Sequence, residues 1–401
     1  MLLRVPYYYK EFKCIADQCQ DSCCIGWEID IDEDTYEYYK QVEGDFGKRL
    51  RESMEAGEEN TFVLKNGRCP FLNDRNLCDI CIELGEEALS QVCTEYPRFV
   101  TEYGKIQEKC LALSCEVAGR LVFERSTPFY WEELEQQEYF GEGDQEEADL
   151  QMIHMIEQSR DLAIALMQRR EVSVEHRIAD VLCFAWQVQE RMNQEDYEGI
   201  GQVIERWKQK VQGAERKEDG PACQRKEEQE RKAETDSADR RDAFRCLKQR
   251  LEIFTGMEVL DEEWRQAREH IKEVFFSQPP EYYSQAVKEF MDAYARSGRL
   301  YEYEHLCVYF LFRYCMQSVY DYNFYNHAAV AAASYLMIRD MDVVRFLDRG
   351  KQFSLEDRID VARIYSKEVE HSEENLEYLA EAFCYEEVFQ RERLLEQIFH
   401  G

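Results

Sequence analysis

Cys14-Ile-Ala-Asp-Gln-Cys19-Gln-Asp-Ser-Cys23-Cys24 opens a segment that ends at Cys115 and holds ten of the chain's sixteen cysteines. The others in it are Cys69, Cys78, Cys81, Cys93, Cys110 and Cys115. None of the seven histidines falls there; the first is His154. Thiolates without imidazole suit a soft-metal site, either an iron–sulfur cluster or a four-thiolate zinc. The gaps among the first four cysteines are too short for a regular element, so a loop folding around a metal is expected. Adjacent side chains such as Cys23 and Cys24 usually point apart. The pair is therefore expected to serve two sites, or one to bind while the other packs.

Downstream, Asn73-Asp-Arg-Asn between Cys69-Pro-Phe-Leu and Leu77-Cys78-Asp-Ile predicts a short β-hairpin that brings Cys69 and Cys78 together. Cys93 closes a helical stretch, Leu84 to Val92, that Pro97 stops. Ser114 is placed to cap a helix starting near Glu116. Upstream, the acids and tyrosines from Asp30 to Arg51 read as one surface helix. Thr61-Phe-Val-Leu reads as a strand running into a Lys-Asn-Gly turn.

These residues resemble the flagellin lysine-N-methylases and, more broadly, cysteine-cluster zinc- or iron-chelating domains. The likeness rests on the four-cysteine opening followed by Gly26-Trp27, on Cys69-Pro-Phe-Leu, Leu77-Cys78-x-Ile, Leu84-Gly, Cys93-x-x-Tyr96-Pro97-Arg98 and Leu113-Ser114-Cys115. It continues in Tyr301-x-Tyr303-Glu304, in Tyr309 to Tyr314, and in Tyr365-Ser366 with Glu370-His371-Ser372. The resemblance implies metal ligation by Cys14, Cys19, Cys23, Cys24, Cys69, Cys78, Cys93 and Cys115. Cys81 and Cys110 are local additions, and Glu116 stands where the family pattern has a proline. It further implies an S-adenosylmethionine (SAM)-dependent methyltransferase acting on lysines of flagellin, with an iron–sulfur cluster (4Fe-4S) or, alternatively, zinc. A radical SAM enzyme is rejected: Cys19-x3-Cys23 supplies its first gap, but Gly26 stands where the third thiol belongs.

The rest of the chain reads as mainly α. The expected division is a cysteine-rich metal-binding segment over 1–125, a helical region over 126–209, a charged linker or insertion over 210–243, and a helical domain over 244–401. Met152, Met155, Ile156, Leu162 and Leu166, then Ile178, Val181, Leu182 and Ala185, recur at helical spacing. His154 and His176 lie in those stripes as ordinary packing residues. The 210–243 stretch is almost wholly polar, and Cys223 within it reads as a bystander. Neither Gly141-Glu-Gly143 nor Gly199-Ile-Gly201 completes a dinucleotide fingerprint.

The densest aromatic block, Tyr301 to Tyr325, could wall a pocket for a lysine stem and a sulfonium, with acids orienting the amine. Most single tyrosines there still read as core. Candidate catalytic residues are Tyr303, Glu304, Tyr309, Asp321 and His371. Lys+Arg 50 against Asp+Glu 83 gives a net charge of −33, which repels nucleic acid and anionic membranes and attracts lysine-bearing partners. With no secretory signal and no membrane-span run, a cytoplasmic protein is expected. The competing reading is a non-catalytic metal-binding or electron-transfer module with a helical partner-binding domain.

Overall fold

The computed structural model describes residues 2–57, 59–135, 147–212 and 236–401. The chain is mainly helical with a small amount of sheet near its start. Two separate apolar cores organise it. The larger belongs to a helical body. Its central member is the helix Phe324–Asp348, begun by Asn323, whose side chain accepts from the Asn326 N–H. Ala328, Ala329, Ala331, Ala332 and Ala333 are all buried on it, so neighbouring helices approach its backbone closely. Tyr301–Tyr314, Val174–Met192 and Leu355–Val369 pack around it. Ser354 and Asp357 form a capping box that starts Leu355–Val369.

Four strands close one side of this body: β1 (Leu2–Pro6), β5 (Arg98–Tyr103), β6 (Ile106–Leu111) and β7 (Trp131–Glu135), in the order β5-β6-β1-β7. β1 runs parallel to β6, with Leu2 opposite Ile106, and antiparallel to β7, with Leu2 opposite Glu135. The sheet packs onto the helical core through Tyr103 and Leu111. β7 thus lies within 126–209, the region expected to be helical.

The smaller core is built by Ile29, Ile31, Tyr39, Leu50, Phe62, Cys69, Phe71, Ile80 and Ala88. Its sheet joins β2 (Asp30–Ile31), β4 (Asn60–Phe62) and β3 (Met54–Glu55) in the order β2-β4-β3. The expected single helix from Asp30 to Arg51 is instead a strand and two helices, Glu33–Gln41 and Gly44–Glu52. Val42 and Glu43 turn extended between them, and Gly44 takes φ +79°, a backbone state that only glycine adopts freely. The expected hairpin at 69–78 contracts to a single antiparallel bridge, Leu72 to Cys78, around the Asn73–Asn76 turn. Asn73 fills that turn itself, its side chain accepting from the Arg75 and Leu77 N–H groups.

Most of the 210–243 stretch, including Cys223, lies outside the described residues, as does Gly141-Glu-Gly143; the helices Tyr197–Gln212 and Asp236–Thr255 flank the former. No helix among the described residues is long and apolar enough to cross a membrane.

Candidate metal centre at the seam of two units

Eight cysteines line one cavity of about 310 Å³: Cys14, Cys19, Cys23, Cys24, Cys69, Cys78, Cys81 and Cys93. That space is more than ten times the roughly 10–15 Å³ a single water needs. Cys115 stands beside the group as an electrostatic neighbour of Cys14 and Cys19. None of these nine is in a disulfide. Cys110, by contrast, is buried in the larger core.

Local structure explains the convergence. The Cys69 N–H donates to the Cys24 carbonyl at 2.8 Å, tying the opening loop to the 69–78 turn. Cys78 and Cys115 each stand immediately before a helix, Asp79–Leu84 and Glu116–Phe123. The N-cap position expected at Ser114 is taken by Cys115, which makes no side-chain capping bond, and the Ser114 hydroxyl turns elsewhere. Cys93 lies within the short helix Gln91–Glu95 rather than at the end of a longer one.

Burial pushes the thiols of Cys19, Cys69 and Cys93 up to about 12 and that of Cys81 to about 11. At Cys78 and Cys115 burial also raises the thiol, opposed by N–H groups of the following helix. Cys24 moves the other way, down to about 7, because the Cys23 thiol and then Ser22 hydrogen-bond to it and Arg68 stands near. Cys23 is raised in return. The pair thus faces one cavity, and the expectation that adjacent thiols diverge does not hold here. Among the described residues no three Cys, His, Asp or Glu side chains close around a single ion. The sulfurs ring a space rather than a point.

The cavity abuts the helical body, and the seam between them is polar and specific. Asp21, on the cavity wall, receives Arg363 at 2.7 Å and Lys367 at 2.8 Å, both from the helix Leu355–Val369. Gly26 holds φ +101°, and a Cβ there would lie 3.2 Å from Lys367 Cε and 3.5 Å from the Leu260 carbonyl oxygen. Trp27 stacks on His371 with centroids 4.7 Å apart. His371 Nε2 lies 2.7 Å from the Ser114 hydroxyl, which lies 3.1 Å from the Tyr96 hydroxyl on the cavity wall. Burial, then Arg313 and Lys367, lower the His371 pKa to about 3, so its ring is neutral at physiological pH. The preceding residue, Glu370, is buried and accepts from Tyr309 at 3.1 Å and Tyr314 at 2.8 Å, and pairs with Arg313 at 3.0 Å.

The five catalytic candidates separate. Tyr309 and His371 meet at this seam. Tyr303 lies deeper, donating to Asp342 at 2.6 Å beside Arg358. Glu304 is clamped by Arg170 and Arg177, each at 2.8 Å, and fastens two helices together. Asp321 is exposed and bonded to His327 at 2.7 Å. From Glu302 to Tyr314 the aromatic block is core, every residue buried, whereas Tyr320 and Tyr322 further along it are exposed. The cavity beside it, lined by Tyr7, Tyr8, Val122, Phe129, His305 and Tyr309, holds only about 10 Å³. Ser114, Glu370 and Asp21 were missed in the sequence. Glu370, within the Glu370-His371-Ser372 signature, and Ser114, within Leu113-Ser114-Cys115, carried a signal; Asp21 carried none.

The family FliB lysine N-methylase C-terminal domain matches residues 160–396. The chain belongs to the FliB lysine N-methylase family. Two curated relatives of this family, the lysine-N-methylases of Salmonella typhimurium and Salmonella choleraesuis, are 29% identical over 126 residues, 29% of this chain and 31% of their own length. The flagellar biosynthetic protein FliU of Salmonella muenchen is 29% identical over 132 residues, 29% of this chain and 75% of its own. The alignment thus spans about a third of the Salmonella lysine-N-methylases. No solved structure matches the chain. The FliB domain covers most of the helical body, including Glu370, His371 and the Asp21-binding helix, so the seam joins that domain to the cysteine unit.

Proposed function

We propose that the chain is a SAM-dependent protein lysine N-methyltransferase acting on flagellin, with an iron–sulfur cluster held in its thiol-lined cavity. The observation that carries this reading is the FliB lysine N-methylase domain over 160–396, with its seam residues in contact with the cysteine loop. The donor set fits a cluster: unpaired thiols around one cavity, one of them poised to ionise near neutral pH. Cysteines of that cavity would hold such a cluster, which when bound would anchor the N-terminal loops.

SAM supplies the methyl group. The Glu302–Tyr314 part of the aromatic block does not fit it, because its rings fill the core and the neighbouring void is water-sized. The chain's own contribution lies at the seam. A lysine ammonium must lose a proton before its amine can accept a methyl group. Tyr96, Ser114 and His371 form a continuous hydrogen-bonded path from the cavity wall inward. A neutral imidazole can accept at one nitrogen and release at the other, so it relays a proton without storing it. Trp27 holds the ring flat, and Glu370 fixes Tyr309 and Tyr314 behind it. The chain's surplus of negative charge favours encounter with lysine-bearing protein.

The test is anaerobic purification with metal loading, then incubation with SAM and flagellin and intact-mass analysis. Methyl-sized mass steps on flagellin lysines are expected. His371→Asn should slow their appearance by about 10²-fold, the scale of a lost proton-transfer group. Intact, metal-loaded protein that binds no SAM by calorimetry and leaves flagellin unchanged would overturn the reading in favour of a non-catalytic metal or electron-transfer module.

A further inference from the structure

We propose that the thiols build two four-sulfur metal centres: an inner one from Cys24, Cys69, Cys78 and Cys93 within the N-terminal unit, and an outer one from Cys14, Cys19, Cys23 and Cys115 across the seam. The inference rests on the metal-bearing reading above and adds a second centre with its own role.

Number is the first argument. Nine unpaired thiols surround or adjoin one cavity, and a single four-thiolate centre would strand five of them in a space partly closed to water. A cluster of the four-cysteine type uses four ligands and no more.

Placement divides them. Cys69 is a member of the smaller apolar core, and Cys24, Cys78 and Cys93 pack against that same core. The Cys69 N–H donates to the Cys24 carbonyl, and the Leu72–Cys78 bridge folds the turn back on itself. Cys24 is a common electrostatic neighbour of Cys69, Cys78 and Cys93. These four therefore share one unit and one side of the cavity. Cys81 adjoins Cys78 on this side as a fifth thiol, outside the set.

Cys115 belongs to the other unit: it starts the helix Glu116–Phe123 and packs against the larger core. The Gln20 N–H donates to Glu116 at 2.9 Å, which lays the loop after Cys19 on the start of that helix. Cys14 and Cys115 are both neighbours of Cys19, and Cys14 is a neighbour of Cys115 and of Cys23. Cys23 also hydrogen-bonds Cys24 and neighbours Cys93, both of the inner set, so the consecutive pair Cys23-Cys24 is where the two sets touch. The outer centre takes three sulfurs from the loop and one from the helical body. It thus fastens one unit to the other, beside the Asp21 contacts to Arg363 and Lys367.

The experiment uses the full chain, reconstituted anaerobically with excess iron and sulfide, with metal and acid-labile sulfide counted per chain. About eight irons, or about four irons with one zinc, are expected. Cys69→Ser and Cys115→Ser should each remove one centre, leaving about four of eight irons or, where one centre is zinc, either the four irons or the zinc alone; Cys115→Ser should also admit protease to the 14–24 loop while leaving helical circular dichroism unchanged. Reduced wild-type protein should give a magnetic resonance spectrum broadened by two neighbouring clusters. A saturated wild-type count of about four irons and no other metal overturns the two-centre proposal and leaves the cluster reading standing. A Cys115→Ser count equal to wild type overturns it equally. Protein that takes up no metal overturns both. Should either variant misfold, the wild-type count alone decides.

Discussion

The N-terminal unit and the helical body solve the problem of stability by different means. The body buries a large continuous apolar core and satisfies its interior charges with fixed partners. Arg358, for instance, is fully buried and meets Asp342 at 2.7 Å and Glu302 at 3.4 Å. The N-terminal unit has nine buried core residues, very short strands and a ring of unpaired thiols. So small a core rarely holds a fold alone, and metal is a common substitute. One unit carries its cohesion in its packing; in the proposed reading the other takes it from a ligand.

The contrast can be broken from either side. The largest single-residue effect is expected inside the body. Arg358→Ala leaves buried Asp342 without its cation, with only the Tyr303 hydroxyl on it, while Glu302 keeps Arg299, and should cost about 3–5 kcal/mol. Chemical denaturation should show the loss, while the metal content of the N-terminal unit stays at its wild-type value.

Acidification probes the seam next. His371 has its pKa near 3 in the folded chain and an ordinary value near 6.5 when unfolded, so its contribution is complete above pH 6.5. Between the two values the unfolded chain binds the extra proton, and stability falls as pH drops. Allowing for partial exposure, the loss by pH 4 should be about 2 kcal/mol. His371→Asn should flatten that acid limb; identical pH profiles for the two proteins would contradict it.

Smaller effects should follow from the remaining seam contacts. Asp21→Asn weakens two ion pairs, but Arg363 keeps Asp360 and Glu263, and Lys367 keeps Asp261. A cost of about 1–2 kcal/mol is expected, with faster proteolysis of the cysteine loop as its readout. Ser114→Ala should cost about 1 kcal/mol by leaving the Tyr96 and His371 groups short of a partner. Its stronger mark should be on methylation rate, since it cuts the path between them.

What was legible in the sequence follows from the range of the forces involved. Helical periodicity is local, and the stripes through Ile156 and Ile178 do form helices of the body. Thiols are a residue type visible at any separation, and eight of them do line one cavity although Cys14 and Cys93 lie 79 positions apart. The four-stranded sheet was not legible, because β1 pairs with strands about a hundred residues away and its short strands carry little alternation of their own. Ser114 shows a local rule losing to a distant partner: its hydroxyl serves His371, 257 positions on, rather than the adjacent helix. The aromatic block misled for a related reason. A run of rings reads alike as pocket wall or as core, and only packing against the central helix decides.

Hydrogen exchange on metal-loaded and metal-stripped protein tests the central contrast most directly. The account predicts that stripping abolishes protection between about residues 14 and 95 while the helices Val174–Met192, Tyr301–Tyr314 and Phe324–Asp348 keep theirs. Equal protection of the cysteine unit in both samples, or simultaneous loss in both units, would contradict it.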